Sequence, residues 1–150
     1  MTLIKIAGAT VGATAHTYAA GQLVGGKITL TGVVNPSRRD PVLCAVTVQD
    51  LTKQNSALNL IFFDANPAAT TFTDNAAFDL ADADITKVIA IAPVAASDYV
   101  SLNDNSVGCA RNLALPIESA AGDGDMYMCV ICAGAPTYAA NELSLVLQIV

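Results

Sequence analysis

The chain has no tryptophan, and its other aromatic residues number only four Phe and four Tyr in 150 positions. Sugar-binding modules stack their ligands on exposed rings, so this scarcity weighs against a lectin-like role. There is a single histidine, His16, and no G-x-S-x-G elbow or dinucleotide fingerprint accompanies it. The Gly-rich "GATVGATAHT" lacks the lysine and the strand–helix setting of a phosphate-binding loop. The chain therefore reads as a non-enzyme without a cofactor. Basic residues are few as well: seven Lys and Arg, of which only Arg38 and Arg39 adjoin, in a chain of net charge −6. Nucleic-acid binding needs a clustered basic face to replace condensed counterions, so no direct contact with DNA or RNA is expected. Charged residues altogether make up 13% of the chain, against roughly 25% in ordinary soluble domains.

Small and apolar residues fill the space. Hydrophobic residues reach 53% and the mean hydropathy is +0.50. An assembly that covers part of the surface accounts for this; the plainer reading is that alanine inflates the score. Assembly is the preferred reading, with a homotrimer as the expected state. The length fits one domain with a sizeable core. The uncharged run over residues 6–26 is rich in Gly, Thr and Ala, whereas a membrane helix needs roughly 20 mainly apolar residues; no membrane contact is expected. Lys5 and the later "TYAAG" sketch a signal peptide, but without a strong apolar centre between them.

From Gln22 onward the apolar period is two. Ile28 and Leu30, then Val46 and Val48 with Cys44, then Leu58, Leu60 and Phe62, then Leu113, Leu115 and Ile117, then Leu143 to Ile149, each mark one face of a strand. Leu23 lies out of phase with Ile28 across Gly25 and Gly26, which predicts a β-bulge. Residues 126–132 are apolar on both faces, as in a central or covered strand. Turn signals such as "NPSRRDP", "DANP" and "AGDGD" separate the strands. One short helix is expected at residues 79–87, acidic at its start with a lysine at its end. The fold class is therefore all-β, an antiparallel β-sandwich or jelly roll over residues 22–150. Residues 1–21 read either as an extended N-terminal arm that pairs with a neighbour or as a loose terminus. The arm's apolar tip, Leu3, Ile4 and Ile6 with Lys5, is the candidate partner contact. Arg38 and Arg39 are the second candidate, because arginine suits bidentate pairing with carboxylates.

The other reactive groups have structural readings. "CVIC" has C-x-x-C spacing, yet in a strand residues three apart point to opposite faces. Cys129 and Cys132 are thus expected as separate core thiols rather than a zinc or disulfide pair, and no metal site is expected. The aspartates of residues 74–84 and of "GDGD" lack ordered calcium-loop spacing and suit turns and helix caps. The loop after "LIFF" reads as a stiffened surface element anchored by Phe62 and Phe78.

Five segments, "GGKITLTGVVNPSRRDPVLCAVTVQD", "LNLIFFDANPAATTFTDNAAF", "ADITKVIAIAPV", "NLALPIES" and "MYMCVICAGAPTYAANELSLVLQIV", resemble the small structural proteins of tailed bacteriophages. In that group a Gly-Gly strand, a Phe-Asp-x-x-Pro loop and a "DNAAF" segment occur in this order. The likeness covers about residues 22–150. It implies a head decoration (capsid cement) protein: a β-sandwich, usually trimeric, made in the host cytoplasm. It would sit on the outer surface of the virion head, with the major capsid protein as partner. No catalytic residues come with it. The rival readings are a tail- or fibre-associated sandwich that binds a host glycan and a bacterial pilus-like or shell protein.

Overall fold

The computed structural model describes residues 1–33, 41–120 and 124–150. Two antiparallel sheets face each other. Sheet one holds β1 (Thr2–Ile6), β4 (Val42–Asp50), β7 (Tyr99–Leu102), β8 (Asn105–Ala110), β9 (Leu115–Pro116) and β12 (Leu143–Ile149). Its order is β1-β12-β4-β8-β7, with β9 beside β4. Sheet two holds β3 (Leu23–Leu30), β5 (Leu58–Phe63), β6 (Val88–Val94) and β10 (Met126–Cys132), in the order β3-β10-β5-β6. A two-stranded ribbon joins β2 (His16–Thr17) to β11 (Thr137–Tyr138).

If the four shortest strands, β2, β7, β9 and β11, are set aside, the first long strand pairs with the last. The second pairs with the seventh, the third with the sixth and the fourth with the fifth. A long hairpin rolled over on itself pairs its strands in this way, and that is a jelly roll. Alternate side chains of both sheets fill the space between them, among them Val46, Leu145, Leu147, Met128, Leu60 and Phe62. Continuous runs of period-two apolar residues specify this, because each strand buries one face.

Residues 1–21 do not form a separate arm. β1 pairs along its whole length with β12 of the same chain, from Thr2 opposite Ile149 to Ile6 opposite Leu145. A short helix, α1 (Gly8–Val11), follows, and Val11, Ala13 and Tyr18 are buried in the main core. Gly and Thr disfavour a helix here. One turn forms nonetheless, ended by Gly12 in the left-handed conformation.

Two register details also differ from expectation. The bulge in β3 is present, since Ile28 faces Met128 while Val24 faces Val130. It does not change parity: Val24, Ile28 and Leu30 all enter the main core, and Leu23 lies on the opposite, also covered, face. In β4 a second irregularity puts Leu43 opposite Ile149 and Ala45 opposite Gln148. Leu43 is thereby buried and Cys44 is left half-exposed. The expected helix at residues 79–87 is a 3₁₀ segment, Asp82–Lys87.

Candidate interaction surface

The residues proposed from sequence as partner contacts separate on the strand. In β1, Leu3 and Lys5 point outward, Ile4 is half-buried and Ile6 enters the core. The period of two makes this division unavoidable. Arg38 and Arg39 lie outside the described residues. Beside Ile4 and Ile6, between the edges of the two sheets, a cleft of about 450 Å³ is floored by Ile28, Leu30 and Ile149 and rimmed by threonines.

The second feature is the loop expected to be anchored by Phe62 and Phe78. Phe78 is an anchor, but Phe62 faces the main core and the neighbouring Phe63 takes its place. Residues 64–81 fold back over the outer face of sheet two. Phe72 packs edge-on against Phe63 with 6.3 Å between centroids, and Phe78 lies 5.8 Å from Phe72. Together they cover Leu23, Cys129 and Ile131, which is why β10 is apolar on both faces. The backbone seals the contact. Leu23 N–H donates to the Ala76 carbonyl and Asn75 N–H to the Leu23 carbonyl, both at 2.9 Å. Lys27 reaches Asn66 Oδ1 at 2.7 Å and lies over the rings of Phe72 and Tyr127.

Asp74 ties this loop to the N-terminal segment. Its carboxylate accepts from the Tyr18 hydroxyl at 2.8 Å, from Gly25 N–H at 2.6 Å and from the Thr14 hydroxyl. Burial, and then the bond to Asp74, push the Tyr18 hydroxyl up to about 12, so it remains a donor at neutral pH. Charge-assisted bonds of this kind are shorter and stronger than neutral ones. Asp74→Ala leaves three donors without their acceptor, and a loss of roughly 2–4 kcal/mol is expected in denaturant titration. The available sequence signal was a lone Asp among Ala, Thr and Asn in "FTDNAAF", which reads equally well as a turn.

Asp84 is the second buried anchor. One oxygen accepts from Ala69 N–H, Thr70 N–H and the Thr70 hydroxyl at 3.0, 2.7 and 2.8 Å. The other meets Lys87 Nζ at 2.7 Å. The Lys87 bond is the main reason the carboxyl is held down to about 2 from its ordinary 3.8; burial opposes the shift and the Thr70 donors assist it. A depressed carboxylate contributes stability above its unfolded value and loses it as pH falls through the folded one. The melting temperature should therefore fall between about pH 4 and pH 2, and Asp84→Asn should flatten the profile in that window. An unchanged profile would assign the acid sensitivity to other groups.

The four cysteines are free. Cys129 faces the outer cluster and Cys132 the main core, on opposite sides of β10, so the two sulfurs do not converge. Burial pushes the Cys129 thiol up to about 12. All eight aromatic rings are buried or half-buried, including Phe72 and Phe78.

No protein-family model matches the chain, and no curated protein matches it. Among solved structures the chain is similar to one in the native virion of Kashmir bee virus at neutral pH. The identity is 14%, over 99% of this chain and 67% of the other, with a TM-score of 0.31. The same virion at acidic pH gives 14% identity, the same coverage and a TM-score of 0.28. At that level of superposition neither topology nor function transfers. The jelly-roll assignment stands on the strand pairing of this chain alone.

Proposed function

We propose that this chain is a virion structural protein that coats and stabilises the head of a tailed bacteriophage. In this reading it sits as a trimer on the outer lattice and holds the major capsid protein. The role is mechanical, with no catalytic step and no cofactor. One observation carries the reading. The segments that bear the resemblance, the Gly-Gly strand, the Phe-Asp-x-x-Pro loop and "DNAAF", are packed as a single unit, with Asp74 bonded to Gly25 and Asn75 and Ala76 to Leu23. Motifs that were only an order of letters in the sequence thus meet in space, the loop and "DNAAF" roofing the sheet to which the Gly-Gly strand belongs. Jelly rolls serve viral shells and lectins alike, so the role is argued from this unit rather than from the fold.

The physical case is one of number. A clip that spans neighbouring capsid subunits needs only modest contacts, because many copies add through multivalency. Synthesis in the reducing host cytoplasm suits a chain with four free thiols. A glycan-binding tail protein would instead present a ring to its sugar, whereas the rings here pack on one another.

Addition of the purified chain to heads that lack it tests the reading. Saturable binding is expected, with heads that survive heat or low salt better than uncoated ones. Heads that take up none of it, or gain no resistance when saturated, would contradict the proposal.

A further inference from the structure

The end of the sandwich where β4 turns into the loop of residues 51–57 gathers buried hydroxyls from three elements. Asp50 lies opposite Ser106 in the register of β4 and β8, and both side chains are buried. The β-carbons of such a cross-strand pair lie about 4.5–5.5 Å apart on one face. From the edge strand β7, Tyr99 sits opposite Gly108. Its ring occupies the space of the missing side chain: a β-carbon on Gly108 would fall 2.8 Å from Tyr99 Cε1 and 2.9 Å from Cζ. Gly108 thus lets the ring enter over β8, beside Ser106 two residues away on the same inward face. Tyr138 comes in from the ribbon, buried, with its ring 5.9 Å from that of Tyr18. Burial first, and then the neighbouring Tyr99 and Asp50, push the Tyr138 hydroxyl up. Burial and then Asp50 do the same to Tyr99, so both hydroxyls keep their protons at neutral pH.

The hydroxyls of Tyr99, Tyr138 and Ser106 are all buried, and none has a hydrogen-bond partner among the described residues. Asp50 cannot serve them. Its Oδ1 accepts from Thr52 N–H and the Thr52 hydroxyl, both at 3.0 Å. Its Oδ2 accepts from Gln54 N–H at 2.7 Å and Asn55 N–H at 3.1 Å. Those four bonds fill the lone-pair sites of a carboxylate. A buried hydroxyl without a partner carries its full desolvation cost, and native proteins meet that cost with ordered water.

We propose that Tyr99, Ser106 and Tyr138 form an internal binding site for water, which bridges sheet one to the ribbon. The ligand follows from the donors and acceptors present. Each hydroxyl can both donate and accept, as water can, and buried waters typically make about three hydrogen bonds. A cation would need a negative ligand, and Asp50 has no lone pair left to offer. The ribbon belongs to neither sheet, so the bridge adds a tie between it and strands β7 and β8. This site goes beyond the particle reading and does not depend on it.

A high-resolution crystal structure of the full chain tests the inference, together with melting curves of two conservative variants. Density for a water is expected within about 3.2 Å of at least two of the three hydroxyl oxygens. Tyr138→Phe removes one bond to that water and should lower the melting temperature by roughly 2–4 °C. Tyr99→Phe should cost less in the Tyr138→Phe background than in the wild type, because the two hydroxyls share one partner. Hydroxyls bonded directly to one another or to other protein groups, with no density between them, would overturn the inference. A metal cation in that density would overturn it too. So would variants that melt at or above the wild-type temperature, because removal of an unpaired buried hydroxyl relieves its desolvation. Should both variants fail to fold, the density alone decides. None of these results bears on binding to heads.

Discussion

A chain that lacks residues 2–18 is expected not to fold. The deletion removes the first strand of the jelly roll, whose five residues pair with β12. It also takes Ile6, Val11, Ala13 and Tyr18 out of the core, where each is no more than 4% exposed. Burial of a side chain such as Ile or Val contributes about 1.5–3 kcal/mol, and truncation of a buried aromatic costs about 3–5 kcal/mol. The sum rivals the roughly 5–15 kcal/mol that holds a domain together. The newly opened edge of β12 would moreover template aggregation. Circular dichroism and size-exclusion chromatography of the truncated chain should show an unfolded or aggregated product. A soluble product that melts cooperatively near the full-length temperature would mean that these residues do not belong to the core.

Gly25→Ala is expected to have the next largest effect. Gly25 sits at φ 76°, in the left-handed region, and a β-carbon there would lie 1.7 Å from the carbonyl oxygen of Val11 and 2.7 Å from its carbon. The obstacle is backbone, so no rotamer relieves it. Either α1 moves away from β3 or the bulge opens, and both loosen the Gly25–Asp74 bond. Strain and overpacking together should cost at least about 3 kcal/mol, or a fall in melting temperature of roughly 10 °C for a chain of this size. Gly26→Ala is the internal control. Nothing lies within 4 Å of its β-carbon position, and a change within about 1 kcal/mol is expected. Equal melting of the two variants would remove the close approach of Val11 from the account.

These two sites show what could be read from the sequence and what could not. The sandwich was legible because Val46, Leu60, Met128 and Leu145 sit in runs whose period survives in the fold. The placement of Cys129 and Cys132 on opposite faces was legible for the same reason. β1 was not, because five residues followed by Gly, Ala and Thr give too short a pattern to reveal a partner more than a hundred residues away. The inward turn of Leu43 was hidden by an irregularity that no local residue type marks. The roof over sheet two was half legible: "LIFF" and Phe78 announced anchors, although the sequence pointed to Phe62 where Phe63 serves. That Phe63 faces the roof depends on which face of β5 is already covered, and that is a tertiary fact. The outer face of sheet one was the least visible feature. It consists of the alternate residues of several strands, brought into rows only by their register.

The head-coating role is tested most directly by a density map of the particle that carries this chain. The account predicts many lattice-related copies on the outside of the head, each a jelly roll in contact with the major capsid protein and grouped in threes. A handful of copies confined to the tail, or none in the particle, would contradict it.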